Sequence, residues 1–462
     1  MTAHSVLREI WRSVGAPDDL LDDVVLTGSG PVLPSSFKIG VAAQASVAAS
    51  ALAAADLWRL RSGRRQSVSV DRRRAAVEFR SERYLRVDGK AAPEPWDKIA
   101  GLYRCGDGGF VRLHTNFPHH RDGVLALLDC PHDRDAVARA LKGWNSFAFE
   151  EKAAEAGMVV AALRSFDEWD AHPQSTALSG LPLVAIEKIG EAKAEPLAPA
   201  ERPLSRVHVL DLTRVIAGPV CGRTLAAHGA DVLLVTAPHL PSIETLVIDT
   251  GRGKRSTSLD LCDEAQRQTL RALLSQADVF IQGYRPGAIA ARGFGPQEAA
   301  TLRPGIIYVS LCAYGQKGPW SGRRGFDSLV QTASGFNDAE ARSAGSDLPK
   351  PLPAQALDHA TGYLMAFGAM TALARRAREG GSWHVQLSLA RTAQWLRGLG
   401  RVENGFACPD PGEDDVTEFL EESPSAFGQL RAVRHSALLA ETPARWERPS
   451  VPLGTDPPAW LD

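Results

Sequence analysis

One aspartate stands where a carboxylate could act as a nucleophile. Asp358 directly precedes a run of small and apolar residues that is typical of a buried helix. An aspartate at a helix start commonly caps the first-turn amides, which is a structural role. A carboxylate held partly dry in the same place could instead attack a thioester carbonyl and form a mixed anhydride. The local pattern leaves both roles open.

Alternating strands and helices precede this aspartate. The pattern predicts strands at 207–212, 231–235, 279–281 and 306–311 and helices at 220–228, 263–276 and 286–292. Ala217, Gly218 and Pro219 predict a turn before the first of these helices. The alternation predicts a parallel, doubly wound sheet, which binds ligands at the carboxyl ends of its strands.

The composition of the other segments predicts a second, smaller domain. Residues 85–186 mix short strands with amphipathic helices and predict a small α+β domain. Charged residues followed by prolines predict a linker at 187–204, before a large domain at 205–405. Residues 406–462 are expected to form a closing segment, with an acidic surface loop at 409–425 and an irregular tail after residue 444.

Residues 1–84 contain a degenerate copy of the segment that carries Asp358. A small-residue helix at 41–57 is followed by arginines, Gly63 and a strand, in the order found at 358–389. Aligning Gly63 with Gly380 places Val41 on Asp358, so the early copy has no carboxylate there. Two unrelated helix–turn–strand units would give the same order. We expect this copy to pack with the large domain, with its helix inside the protein and not across a membrane.

The composition excludes several classes of protein. The 462 residues are 44% hydrophobic and 23% charged, with a formal net charge of −2, which argues against a nucleic-acid partner. The six cysteines include no CxxC pair and no metal-ligand spacing, so neither a disulfide framework nor a metal site is expected. The first residues contain no apolar leader. We expect a cytoplasmic protein of more than one domain.

A series of motifs gives residues 206–400 a resemblance to the family III CoA-transferases (the CaiB/BaiF family). In chain order these are LDLTRVIAGP at 210–219, GADV at 229–232, GKRS at 253–256, LDL at 259–261, YRPG at 284–287, LRPGIIYVS at 302–310, YGQKGP at 314–319, GFD at 325–327 and the D-x-x-x-G step at 358–362. Each motif is weak, but so many in order at the family's spacing form a specific signal.

The resemblance implies a fold and a reaction. The fold would be α/β, with a doubly wound, Rossmann-like parallel-sheet large domain and a small α+β domain. Asp358 would be the nucleophile that moves CoA from an acyl-CoA thioester to a free carboxylic acid through an aspartyl mixed anhydride. The resemblance further implies a homodimer, with no permanently bound cofactor and CoA thioester as substrate.

The resemblance also implies a set of CoA contacts. The positions that match the family's CoA-binding stretches are Val215, Ile216, Ala217, Gly283, Tyr284 and Arg285. Lys254 and Arg255 are candidates for phosphate contacts, the first as a point charge and the second as a planar fork. A basic pair on the surface is the alternative interpretation.

The order of the segments differs from that of a typical family member. Residues 100–180 resemble the family's small domain and 427–454 its closing segment, but here the small domain and the degenerate copy precede the large domain. We interpret the chain as a fused and permuted relative with one active nucleophile. Family members usually end the second strand with an acidic residue, but Thr236 stands at this position. The resemblance therefore does not predict how this chain binds its substrate.

Three other functions remain as alternatives. An acyl-CoA racemase would need a histidine in the GFD step, where Phe326 stands, and His359 beside Asp358 should point elsewhere. A nicotinamide-dependent oxidoreductase would need a GxGxxG turn, which the first strand–helix unit lacks. A non-catalytic CoA-binding protein would be consistent with the degenerate first copy.

Overall fold

The computed structural model describes residues 1–94 and 96–461. The strands are β1 (Val24–Thr27), β2 (Val68–Asp71), β3 (Arg86–Val87), β4 (Lys90–Ala91), β5 (Gly101–Arg104), β6 (Phe110–Leu113), β7 (Val160–Ala162), β8 (Ala185–Gly190), β9 (His208–Leu212), β10 (Asp231–Thr236), β11 (Lys254–Ser258), β12 (Val279–Gln282), β13 (Ile307–Cys312), β14 (Ser382–Ser388), β15 (Leu420–Ser425), β16 (Gly428–Val433) and β17 (Ala437–Leu439).

The helices lie between these strands. They are α1 (Ala3–Ser13), α2 (Ile39–Ser62), α3 (Arg72–Glu78), α4 (Ser81–Tyr84), α5 (Pro118–Leu128), α6 (Arg134–Leu141), α7 (Ser146–Glu155), α8 (Phe166–Asp170), α9 (Pro173–Leu178), α10 (Ala217–Ala227), α11 (Glu244–Thr250), α12 (Glu264–Leu274), α13 (Pro296–Leu302), α14 (Asp327–Ala333), α15 (Phe336–Ser343), α16 (Ala356–Glu379) and α17 (Leu389–Gly398). Short 3₁₀ helices occur at Asp18–Asp23, Ala290–Arg292, Gly405–Ala407 and Asp414–Phe419.

The main sheet has seven strands in the order β11-β10-β9-β12-β13-β14-β8. All neighbours are parallel except β8, which pairs antiparallel with β14 at the edge. Successive residues of β9 face opposite cores: Val209 joins the core that includes α10 and α16, and Leu210 joins the core that includes α12. The predicted α/β, doubly wound fold class is therefore confirmed.

The chain reverses its direction across the sheet between β9 and β12. From β9 it proceeds outward to β10 and β11, and from β12 it proceeds the other way to β13 and β14. Ligands of doubly wound sheets bind at the carboxyl ends of the strands that flank such a switch point. The turns that follow β9 and β12 contain the stretches 215–217 and 283–285.

Helix α2 is the structural counterpart of α16. Each has 24 residues, each is followed by a glycine with a φ of 72°, and each leads into a strand and a further helix. When Gly63 is aligned with Gly380, the two helices begin and end at equivalent positions. Nearly every residue of α2 is buried and the two helices pack together. This agreement supports the internal repeat.

By length and composition alone, α2 could cross a membrane. In this fold, however, 94% of its most apolar window is buried inside the protein. The alanine-rich surface that gives the helix its hydropathy is the surface that packs against α1, α3 and α16. The expected packed helix at 41–57 is therefore present, as the middle of α2.

The N-terminal and C-terminal segments share two small sheets. The first sheet has the order β1-β2-β17 and the second the order β15-β16-β3-β4. In both, strands from the first 91 residues pair with strands from the closing segment. The small domain has its own sheet, β5-β6-β7, and its own apolar core.

Four local predictions were wrong. Part of the predicted linker is β8, an edge strand whose exposed Glu187 and Lys188 gave it the composition of a linker. The predicted loop at 409–425 contains a 3₁₀ helix and β15, and the predicted helix at 286–292 is only the 3₁₀ turn Ala290–Arg292. The predicted turn at 217–219 is the first turn of α10, because proline needs no amide partner there.

Candidate active site

Asp358 is the third residue of α16, and its carboxylate does not cap the helix. The N-cap residue Gln355 makes no side-chain cap. Instead Asp327 Oδ2 accepts a hydrogen bond from the backbone N of Asp358 at 2.9 Å. Among the described residues, none donates a hydrogen bond to the Asp358 carboxylate. The capping role thus belongs to Asp327, and the oxygens of Asp358 stay available for chemistry.

The carboxylate of Asp358 borders a cavity of about 600 Å³, named here the Asp358 cavity. The residues that line it come from six stretches of the chain and include Glu82, Arg83, Arg86, Trp96, His114, Asn116, Val215, Ile216, Thr245, Phe326, Asp327, Ser328 and Gln355. Asp358 itself is only 7% exposed. The carboxylate is therefore largely shielded from solvent, but it lies beside a space large enough for an acyl group.

The charges around Asp358 disfavour its ionised form. Burial raises its pKa well above the usual range, and the neighbouring Asp327 and Glu82 raise it further. Burial also raises the pKa of Asp327 to about 6, although hydrogen bonds from Gln331 and from the first-turn amides act in the opposite direction. When it is ionised, the Asp358 carboxylate is poorly solvated and therefore reactive.

His359 points away from this carboxylate, as the sequence predicts. Its Nε2 lies 3.2 Å from Glu82 Oε2, and its ring stacks on Phe79 with centroids 5.5 Å apart. The ring is fully buried and does not line the Asp358 cavity. His359 therefore orients Glu82 and cannot act as a partner base beside Asp358.

Gly362, which ends the D-x-x-x-G step, sets the distance between two helices. A Cβ at this position would lie 2.6 Å from the carbonyl oxygen of Ala217 and 2.7 Å from Val220 Cβ. Glycine thus allows α10 to pack directly on α16. The structure places Ala217 in this buried contact and outside both site cavities, so its predicted CoA contact is not supported.

A second cavity of about 460 Å³ lies at the switch point of the sheet. It is named here the Tyr284 cavity and is lined by Gly283, Tyr284 and Arg285, as the resemblance implied. Val215 and Phe326 line both cavities, whereas Ile216 lines only the Asp358 cavity. The two spaces are therefore adjacent, with one wall in common.

The Tyr284 cavity has a cationic lining. Arg214, Arg285, Arg323 and Arg324 border it, and the described lining contains no carboxylate. Burial lowers the pKa of the Arg324 guanidinium, and the like charges of Arg285 and Arg214 lower it further. Such a concentration of positive charge suits a ligand with several phosphates.

Sequence reasoning missed Arg214 and Arg324 as site residues. Arg214 lies inside the quoted motif at 210–219, directly before the CoA-binding stretch. Arg324 directly precedes the GFD step. Their positions beside matched motifs were the available signal.

Lys254 and Arg255 do not reach either cavity, so their predicted phosphate contacts are not supported. Lys254 Nζ donates to Asp211 Oδ2 and to the carbonyl of Pro219, both at 2.8 Å, in a fully buried pair. A Cβ at Gly222 would lie 2.8 Å from this Nζ, so glycine provides the space for the pair.

The Arg255 side chain also forms its hydrogen bonds within the protein. Its Nε and Nη2 donate to both carboxylate oxygens of Asp231, at 3.0 and 2.8 Å. Its Nη1 donates to the carbonyl of Ala459 in the closing segment. The Arg255 guanidinium, which suggested phosphate binding, therefore connects the C-terminal residues to β10 and β11.

Val215 adopts a strained backbone conformation in the wall between the cavities. Its φ is +75°, which a β-branched residue rarely adopts and which costs about 1–3 kcal/mol. Strain of this kind persists where the surrounding structure enforces it, most often at functional sites. The turn after β9 is therefore a candidate binding element.

One histidine of the small domain borders the Asp358 cavity. His114 stacks on Phe326, with ring centroids 3.8 Å apart and planes 7° from parallel. Burial and the adjacent Arg112 lower the pKa of His114 to about 3, so the ring stays neutral and is a weak base. No sequence motif marked this residue. Its low basicity disfavours proton abstraction next to the acyl carbonyl.

Comparison with known proteins shows which family the large domain is similar to. Residues 204–400 match the sequence profile of CoA-transferase family III. An acyl-CoA transferase of Gibberella moniliformis is 30% identical over 372 residues, which cover 70% of this chain and 64% of the relative. Acetyl-coenzyme A transferase nodX of Hypoxylon pulicicidum is 31% identical over 323 residues, or 64% of this chain and 54% of the relative.

A crystal structure of Rv3272 from Mycobacterium tuberculosis is also similar. It is 32% identical, covers 43% of this chain and 58% of that chain, and has a TM-score of 0.40. The chain spans between 41% and 64% of the length of the curated relatives named here.

Fold, site and comparisons agree on the class of protein. The doubly wound sheet, the switch-point cavity and an aspartate at the start of the last long helix define a CoA-transferase-like α/β protein. Through residues 204–400 the chain is similar to the members of CoA-transferase family III.

Proposed function

We propose that the protein is a CoA-transferase that moves CoA between an acyl-CoA thioester and a free carboxylic acid. The observation that carries the proposal is the environment of Asp358. The residue is 7% exposed, its carboxylate accepts no hydrogen bond from the described residues, and it borders a cavity of about 600 Å³. A purely structural aspartate would have hydrogen-bond partners, because an unpartnered carboxylate is costly to bury.

The reaction proceeds through exchange at this carboxylate. The ionised Asp358 attacks the thioester carbonyl, and the C–S bond breaks to give a mixed anhydride and the CoA thiolate. The thiolate then attacks the aspartyl carbonyl, which releases the first acid and leaves an aspartyl-CoA thioester. An acceptor carboxylate reverses the sequence, leaving as its own CoA thioester and regenerating the Asp358 carboxylate.

The two adjacent cavities bind different parts of the acyl-CoA substrate. The phosphates of CoA bind in the Tyr284 cavity, near Arg214, Arg285 and Arg324. The acyl group enters the Asp358 cavity past the common wall formed by Val215 and Phe326. This division places the thioester sulfur near that wall, within reach of the nucleophile.

The relatives support this class of substrate. Their names specify acyl-CoA or acetyl-coenzyme A transfer, and further relatives are named succinyl-CoA:glutarate CoA-transferases. We propose a CoA thioester as the substrate, with no permanently bound cofactor. Within the described residues, no group of three or more His, Cys, Asp or Glu side chains is placed to hold a metal ion.

Mass spectrometry of the intact protein tests the proposal. Incubation with a panel of acyl-CoA thioesters should add one acyl or CoA adduct per chain, and hydroxylamine should convert Asp358 to a hydroxamate. Asp358→Asn should abolish both signals and all turnover. Asp338→Asn, at a helix surface outside both cavities, is the matched control and should keep them.

Three outcomes would contradict the proposal. Turnover by Asp358→Asn would refute the nucleophile. Exchange of an α-deuterium on the acyl-CoA, without any adduct, would favour the racemase alternative. A failure of the whole panel to give an adduct would favour a non-catalytic CoA-binding protein.

We also propose that the protein works as a cytoplasmic homodimer. This expectation comes from the family resemblance. Because the N-terminal copy already supplies Glu82 and Arg83 to the Asp358 cavity of its own chain, part of the site is complete within one subunit. Sedimentation analysis of the purified protein would measure the oligomeric state directly.

A further inference from the structure

The start of α2 borders a cavity of about 330 Å³, named here the Val41 cavity. It lies at the place in the N-terminal copy that corresponds to the start of α16. In the repeat alignment, Val41 occupies the position of Asp358. The Val41 cavity shares no lining residue with the Asp358 or the Tyr284 cavity.

The lining of the Val41 cavity combines apolar side chains with positive charges. The apolar side chains are Val32, Leu33, Phe37, Ile39, Val41 and Val402. The charged side chains are Lys38, Arg72 and Arg401, and the described lining contains no carboxylate. The cavity thus has the opposite charge to the carboxylate-rich Asp358 cavity.

Arg72 is held in place by a buried amide. Its Nε donates to Gln44 Oε1 at 3.1 Å, and Gln44 is fully buried. Gln44 Nε2 in turn donates to the carbonyls of Thr27 and Val70, at 2.7 and 2.9 Å. These bonds fix the amide orientation, so the guanidinium is positioned before any ligand arrives.

Gly40 allows Arg72 to cross the start of the helix. A Cβ on Gly40 would lie 3.2 Å from Cγ and 3.3 Å from Cδ of Arg72. Burial lowers the pKa of the Arg72 guanidinium, although the nearby charge of Asp71 raises it. The amides of Gly40 and Val41 have no backbone hydrogen-bond partner in the described chain and face the same end of the helix.

The carboxylates nearest these cations are already engaged. Asp71 caps α3 through the amides of Arg73 and Arg74. Glu340 accepts hydrogen bonds from the backbone and side chain of Ser36. Neither carboxylate forms an ion pair with Arg72 or Arg401 within 4 Å in the described chain. The charges of Asp71 and Glu340 still act on Arg72 and Arg401, but neither carboxylate occupies the place where a ligand carboxylate would contact these cations.

We propose that the Val41 cavity binds a short aliphatic carboxylic acid, as a site separate from the Asp358 cavity. The carboxylate lies near Arg72 and Lys38, and the hydrocarbon tail packs on Phe37 and Val41. A phosphate would use only the cations, whereas an aliphatic acid uses both parts of the lining. In this proposal the degenerate copy has no nucleophilic carboxylate at position 41 and instead binds the carboxylate of a ligand.

Butyrate titration tests this site in the Asp358→Asn background, where covalent exchange is blocked. Saturation-transfer NMR and calorimetry on the full chain should detect a bound butyrate whose affinity depends on Arg72, in addition to any butyrate that enters the Asp358 cavity. Arg72→Met should weaken its affinity at least tenfold, and Arg401→Met should weaken it less. Val41→Asp should abolish binding through charge repulsion, whereas the matched neutral Val41→Asn should weaken it only a few-fold.

Several results would overturn the proposal. These are the absence of butyrate binding, an affinity unchanged by Arg72→Met, and equal losses in Val41→Asp and Val41→Asn. Inorganic phosphate that binds as tightly as butyrate would show that the apolar wall takes no part. Thermal unfolding of each variant checks that it is folded, and Arg72→Lys, which keeps the charge, should retain most of the affinity.

Discussion

The backbone amide of Asp358 donates to the carboxylate of Asp327 at 2.9 Å, so one aspartate caps the helix turn that carries the other. This relationship separates two roles that a helix-start carboxylate usually combines. Asp327 satisfies the first turn of α16 and is itself 1% exposed. The Asp358 carboxylate has no hydrogen-bond donor among the described residues and lies at the edge of a cavity, and its ionisation depends on the charge of Asp327.

The first prediction concerns the pH dependence of acyl-enzyme formation. Asp358 must be ionised to attack, and its pKa is raised by burial and by Asp327. The rate should therefore rise with pH, with a midpoint well above the ordinary value for aspartate. Asp327→Asn removes one negative charge, so the midpoint should move to lower pH, while asparagine can still cap the helix.

Quenched-flow mass spectrometry across a pH series would measure both midpoints. Asp338→Asn is the control and should leave the midpoint where it is in the unaltered protein. A midpoint that is unchanged or higher in Asp327→Asn would contradict the proposed coupling.

The second prediction concerns stability. A carboxyl whose pKa is raised by folding stabilises the fold below its unfolded pKa, and that contribution is lost as pH rises through the folded pKa. Asp358→Asn should therefore unfold at a higher temperature than the unaltered protein at pH 8, and at a similar temperature near pH 4. Each unit of raised pKa corresponds to about 1.4 kcal/mol. Equal destabilisation at both pH values would show that the burial of the carboxylate is not costly.

Much of the fold could be predicted from local patterns. Strands β9, β10, β12 and β13 are mostly apolar because both faces of the parallel sheet are buried, and such runs are recognisable without knowledge of the fold. The edge strand β8 was missed because its outward residues are charged. Its assignment depends on pairing with β14, which is close in space but distant in the sequence.

The site was only partly predictable for the same reason. Asp358, Val215 and Tyr284 lie in motifs, and the structure brings them to two adjacent cavities. Glu82 and His114 come from the N-terminal segment and the small domain, so no local pattern links them to Asp358. For Lys254, the sequence shows a charge but not the buried Asp211 that neutralises it.

The third prediction follows from that buried pair. Lys254→Met would leave the Asp211 carboxylate buried without its cation, which should cost about 3–5 kcal/mol of stability. Because Lys254 lines neither site cavity, the KM for acyl-CoA of the folded fraction should stay unchanged. Chemical denaturation and steady-state kinetics below the unfolding transition would measure the two effects. A large rise in KM with little loss of stability would indicate that Lys254 contacts a phosphate of CoA.

The fourth prediction concerns the arginines of the Tyr284 cavity. Arg285→Gln and Arg324→Gln should each raise the KM for acyl-CoA about tenfold, because a charge-assisted hydrogen bond contributes about 1.5–3 kcal/mol. The kcat should change little, and the effect should shrink at high salt. Arg267→Gln, on the surface of α12, is the matched control and should leave KM unchanged. An unaltered KM in both cavity variants would indicate that the CoA phosphates bind outside the Tyr284 cavity.

The fifth prediction is that restoring a carboxylate to the degenerate copy does not create a second active site. An aspartate at position 41 would lie beside Lys38 and Arg72, which would lower its pKa and stabilise the carboxylate as an ion pair. A stabilised carboxylate is a poor nucleophile, and the Val41 cavity has no adjoining CoA cavity. Val41→Asp should therefore give one adduct per chain in intact mass spectra, and Val41→Asp combined with Asp358→Asn should give none. Two adducts per chain, or one in the double variant, would show that position rather than electrostatics determines reactivity in this fold.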